Sequence, residues 1–174
     1  MNTASDGGIL GGFSSLADLT KDSQYDYNGY LFEVIVYSEE LNITRRQILE
    51  NFLSSKYDIS ISNDYYSFDT NHPHDVGGIG RTTSSDRHLE GYSDILGLSI
   101  AAGTFSDGQF ALIGHDNAST SFSTAETPNG DTGSAQKIGR EWRIDHTGVA
   151  SQTINIKADL AGFSLPSGYS GYGV

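Results

Sequence analysis

Oxygen-rich loops are the first places in this chain where chemistry could be done. Ser62–Asn71 reads SNDYYSFDTN, Gly114–Thr120 reads GHDNAST and Pro128–Gly133 reads PNGDTG. Each offers carboxylate, amide and backbone carbonyl oxygens on a tight turn, which is the donor set that hard cations take. Asp64, Asp69, Asp116, Asn117, Asn129 and Asp131 are therefore the candidate Ca²⁺ ligands. None of these loops has the spacing of an EF-hand or of a nonapeptide calcium repeat. Asn, Asp and Gly also build turns on conformational grounds alone. Tyr65, Tyr66 and Tyr92 sit in loops too. A phenol ring there can stack on a sugar face or anchor a peptide, so these three are candidate ligand contacts.

Other chemistries find less support. His72 and His74 flank a proline in HPHD, and an extended Pro-containing loop holds the two rings apart. No HExxH spacing supplies a further ligand. The GGIG run at Gly77–Gly80 lacks the GxGxxG spacing and the lysine of a phosphate-binding loop. There is no GxSxG elbow, and with no cysteine there is no thiol nucleophile. Acid pairs such as Glu141/Asp145 are expected by chance in so acidic a chain. The expected role is therefore non-catalytic.

The elements that must carry these loops are mostly strands. ILGLSIAA places Leu96, Leu98, Ile100 and Ala102 on one face, and QFALIG gives a short strand through Phe110 and Leu112. GREWRIDH alternates Trp142, Ile144 and His146 against Glu141, Arg143 and Asp145. TINIKADL alternates most cleanly, with Ile154, Ile156, Ala158 and Leu160 expected inward. Short strands with frequent turn signals point to an antiparallel, jelly-roll-like β-sandwich. Against this background, Tyr30–Ile59 reads as one strand followed by one helix. Leu31, Phe32, Val34, Ile35 and Val36 form a run interrupted only by Glu33, which predicts a strand covered on both faces. Asn42 is the expected N-cap. The helix is expected over 43–56, with Ile48, Leu49, Phe52 and Leu53 as its buried stripe. Burying those four side chains is worth roughly 6–10 kcal/mol in area terms.

The predicted organisation is a Gly/Ser/Asp-rich lead-in over 1–29, one sandwich module with its helix over 30–163, and a flexible tail or linker over 164–174. A length of 174 residues suits this. The net charge of −12, from 22 acidic and 10 basic residues, argues against a nucleic-acid partner. No apolar run is long enough to cross a membrane. The first residues lack a signal-peptide pattern, so secretion would use a signal outside this sequence.

Two resemblances sharpen the reading. NGYLFEVIVYSEELNITRRQILENFLSSKYDI resembles the closing strand and helix of concanavalin A-like (laminin-G-like) jelly rolls in large bacterial surface proteins. Gly29, Glu33, Val36, Tyr37, Leu41, Asn42, Arg46, Lys56 and Tyr57 carry that likeness. DVGGIGR, LIGHDNAS, IGREWRIDHTG and INIKADLAG resemble an uncharacterised β-sandwich domain that often follows such a jelly roll. The resemblance implies an extracellular adhesin-type module with neighbouring domains of the same polypeptide as partners, and cell-surface glycan or protein as a further partner. A carbohydrate-binding, lectin-like module is the alternative. Few residues precede Tyr30, so the strand and helix are expected to belong to the sandwich that follows, split from the rest by another module in a longer polypeptide. A fragment that keeps a jelly roll's last strand and helix, or a lost insert, would also give this order.

Overall fold

The computed structural model describes residues 30–124, 135–149 and 151–170. The expected short strand at Gly8–Phe13, most of the turn through Asn28 and Gly29, and the candidate ligands Asn129 and Asp131 lie outside the described residues. The chain divides into two compact units, Met1–Glu39 and Glu40–Val174.

In the first unit, Tyr30–Tyr37 forms no strand, contrary to expectation. Leu31 is 61% exposed and Val36 86%, and the Tyr30 and Phe32 rings lie tilted 6.5 Å apart. An apolar run states a need for cover. It does not supply the ladder partner that makes a strand.

Among its described residues the second unit is mainly β, with antiparallel sheets and a single helix. Its elements are α1 (Ile43–Tyr57), β1 (His74–Arg81), β2 (Arg87–His88), β3 (Glu90–Ser93), β4 (Leu96–Ser99), β5 (Gln109–His115), β6 (Phe122–Ser123), β7 (Lys137–Ile138), β8 (Trp142–Thr147) and β9 (Asn155–Ala158). A four-stranded sheet runs β2-β1-β5-β8, a three-stranded sheet β3-β4-β9, and β6 pairs with β7. Gly77–Gly80, which lacks the spacing of a phosphate-binding loop, lies inside β1.

The sheet through β1 and β5 is covered on both faces. On one, Ile79, Ala111 and Ile113 meet Leu98 of β4 together with Ile100 and Phe105. On the other, Val76, Phe110 and Leu112 meet Ile48 of α1 and Tyr66. The short strand expected through Phe110 and Leu112 is present, and because both faces are covered Phe110–Ile113 is a continuous buried apolar run. The two sheets touch through backbone. A Cβ on Gly77 would lie 2.1 Å from the Tyr92 carbonyl oxygen, and one on Gly91 2.1 Å from that of Gly78. Only glycine allows so close an approach.

Helix α1 docks differently from its predicted stripe. Asn42 is the N-cap, accepting from Arg45 N–H, and Asp58 ends the helix in the left-handed region at φ 53°. The buried residues, however, are Thr44, Ile48, Asn51, Ser54 and Ser55. Leu49, Phe52 and Leu53 are only half-buried. A largely polar face is thus pressed on the protein, and hydrogen bonds carry it. Asn51 donates to the Gln47 and Asn63 carbonyls and accepts from Tyr65 N–H. Asp86 receives Ile43 N–H at 2.9 Å and Thr44 N–H at 3.0 Å, completing the first turn from the β1–β2 loop. Thr44 Oγ1 donates to the Asp86 carbonyl and accepts from Thr82 N–H. Of the four apolar side chains expected to supply area-based stabilisation, Ile48 is buried and Phe52 packs against the same cluster, and this network adds to what they provide.

β9 also departs from expectation. All four of its residues are exposed, Ile156 at 61%, because β9 is an edge strand of its sheet. His146 on β8 is likewise exposed, whereas Trp142 and Ile144 pack on the core.

Candidate functional site

Two places on the second unit combine accessible aromatic surface with polar groups. The first is a plate around Tyr92 on β3. Its ring lies across Gly97 of β4, where a Cβ would come within 2.6 Å of the ring. One ring face is thereby supported, and the residue is 50% exposed. The phenol donates to Glu90 at 2.7 Å, and Glu90 also receives the Lys157 ammonium from β9. These bonds set the protonation states. Lys157 and then Tyr92 hold the Glu90 carboxyl below its ordinary range, while Glu90 raises both the Tyr92 phenol and the Lys157 ammonium. The plate thus presents an aromatic face, a carboxylate and an ammonium together.

The second is a cavity of about 320 Å³ at the end of the three-stranded sheet. Ile95 and Leu96 at the β3–β4 turn and Ala158 of β9 form one wall. Phe122, Lys137 and Ile138 of the β6–β7 pair form another, with Gln136 beside them. Trp142, which packs on the core, also lines the cavity, its indole N–H donating to the Ser93 carbonyl at 3.0 Å. Leu160, Phe163, Leu165, Pro166 and Tyr169 complete the lining, so residues expected to be a tail contribute walls. The sequence reading missed this site. Its available signals were the chain's single tryptophan and the apolar residues spaced through 160–169.

The predicted site residues are scattered. Asp64 Oδ1 accepts from Tyr66 N–H and Asp116 Oδ1 from Ala118 and Glu141 N–H, so each braces a turn. Burial works to raise Asp116, but these amides outweigh it and hold the carboxyl below its usual range. Asp69 is within 3.5 Å of the Thr70 hydroxyl. Asn117, at φ 60°, accepts from Arg140, which also binds Asp94 at 2.6 Å and the Ala118 carbonyl at 2.9 Å. Among the described residues, no three His, Asp or Glu side chains gather as a metal set.

Tyr65 stacks on Phe110 at 4.2 Å, and the Tyr66 ring is buried with its hydroxyl on the His72 carbonyl. Burial, then the Asp145 and Asp69 charges, push the Tyr66 phenol far above its ordinary range. Both rings serve the core, and Tyr92 alone of the three presents a broad open surface. The HPHD rings go separate ways, His72 edge-on to Phe68 and His74 stacked on His115. His115 Nδ1 accepts from Asn117 N–H, so its proton sits on Nε2 and is donated to Asp75 at 2.9 Å.

Residues 98–172 are similar to a family described as a domain of unknown function (DUF8202), a match that takes in most of the cavity lining and leaves α1 and β1–β3 outside. No curated protein and no solved structure matches the chain.

Proposed function

We propose that this chain is a non-catalytic module of a large bacterial surface adhesin, working outside the cell as scaffold or adhesion domain beside other domains of the same polypeptide. The observation that supports it best is where the carboxylates go. Asp64, Asp86, Asp116, Asp145 and Asp159 each accept from a backbone amide. In this reading these five carboxylates brace loops, and other acidic residues keep the surface solvated. The likeness of Gly29–Tyr57 to the end of a concanavalin A-like jelly roll adds the expectation of a neighbouring jelly-roll module.

The test is attachment. A surface-displayed polypeptide with and without residues 40–170 is compared for binding to host cells or matrix. Loss of attachment without the segment supports the proposal, and unchanged attachment and surface level overturn it. Calcium is a separable arm of the same proposal. A melting temperature that falls in EGTA adds the ion to the module, and an unchanged melt removes it.

A lectin-like role is the second reading, and the Tyr92 plate favours it. A supported aromatic ring flanked by Glu90 and Lys157 offers a sugar one stacking face and two hydrogen-bonding partners. A glycan array run with the native chain and with Tyr92→Ala decides it. Saturable binding lost in the variant supports the lectin, and no hit removes it.

A further inference from the structure

We propose that the cavity walled by Trp142, Phe163 and Lys137 binds an apolar monocarboxylate of the size of a medium-chain fatty acid. Its volume of about 320 Å³ falls in the range of small-molecule sites. Its walls are aromatic and aliphatic, and Lys137 is the only charged residue among the described residues that line it. In a chain with 22 acidic and 10 basic residues, a lining whose described residues include a cation and no carboxylate is complementary to an anion. An ammonium has three donors, so Lys137 can take a carboxylate alongside the interactions it already makes. Gln136 lines the same wall and adds an amide donor. Sugar hydroxyls set against this hydrocarbon lining would go unpaired, whereas each methylene of an alkyl chain gains from burial. The assignment is independent of the scaffold proposal, and it gives the cavity a different occupant from the Tyr92 plate.

The chain's single tryptophan lines the cavity, so occupancy can be read from its fluorescence. The full chain is titrated with decanoate brominated near its methyl end, and with the matching brominated decanol. Saturable quenching by the acid is expected, with the alcohol binding about three-fold more weakly, the scale of a solvent-accessible ion pair. Lys137→Gln should weaken the acid by about the same factor and leave the alcohol unchanged. Leu160→Glu, which puts a like charge on the wall, should weaken the acid by about ten-fold or more. Should a variant lose its far-ultraviolet circular dichroism, the acid–alcohol comparison on the unaltered chain decides alone. Absence of saturable quenching, or equal affinity for the alcohol, overturns the proposal. A saturable change in the tryptophan emission on adding neutral oligosaccharides, with no quenching by the acid, also overturns it and gives the cavity to the sugar reading. The attachment assay stays informative in every case.

Discussion

The two faces of the β1–β5 sheet are held by different physics. One meets a second sheet, and the join is apolar side chains plus backbone brought together at glycines. The other meets Ile48, Phe52 and Tyr66 in a smaller apolar cluster, and α1, whose buried residues are mostly Thr, Asn and Ser, is tied in addition to the flanking Asn63–Tyr65 and Thr82–Asp86 loops by directed hydrogen bonds. Apolar packing is tolerant in direction and sensitive to volume. A buried hydrogen-bond network is the reverse, since losing one partner strands the others. The two faces should therefore fail in different ways.

The sharpest break is at the sheet–sheet join. Gly77→Ala sets a methyl against the Tyr92 carbonyl and should destabilise by more than about 4 kcal/mol, or prevent folding, as read by urea denaturation. Ile113→Ala, fully buried on the same face, should cost about 2–5 kcal/mol through transfer and cavity terms.

On the helix face, Asn51→Ala leaves the Tyr65 N–H and the Asn63 carbonyl without their partner and should cost about 2–4 kcal/mol. Asn51→Leu should not recover that loss. If it does, the helix is held by apolar area and the contrast between faces is wrong.

Asp86→Asn should cost about 1–2 kcal/mol as a lost anionic cap. Burial works to raise the Asp86 carboxyl, but Thr44, Ile43 and Thr82 outweigh it and hold its pKa below the ordinary value. Its contribution is then full above the unfolded carboxyl pKa and disappears as pH falls through the lower folded value. The gap between native and variant chains should close over that acid window. A gap unchanged by pH would remove Asp86 from the role. The smallest effect should come from Lys157→Gln, whose exposed pair with Glu90 should leave the urea midpoint within error.

The sequence disclosed some of this and hid the rest for identifiable reasons. The N-cap at Asn42, the helix bounds to within a residue and the β4, β5 and β8 strands followed from local signals. The helix face did not, because amphipathicity scores apolar side chains and cannot see that Asn51 has three partners waiting. Leu31–Val36 and Phe110–Ile113 are both unbroken or nearly unbroken apolar runs, yet one is exposed and the other is the most buried strand. Pattern reports a side chain's preference, and topology decides whether it is met. Ile156 makes the same point, alternating cleanly but standing on an edge. The candidate site was least legible. Its walls come from four separated stretches, and no local spacing links Leu96 to Trp142 and Tyr169.

The Asp86 anchor has a consequence for how the chain is made. α1 leaves the ribosome before the groups that hold it: the carboxylate that completes its first turn follows 42 to 43 residues later, and Phe110, on which its face rests, later still. An isolated helix of 15 residues is marginal in water. The segment should therefore emerge as fluctuating coil and become helical only after β1 and β5 have been translated, so that its ordering waits on chain made well after it.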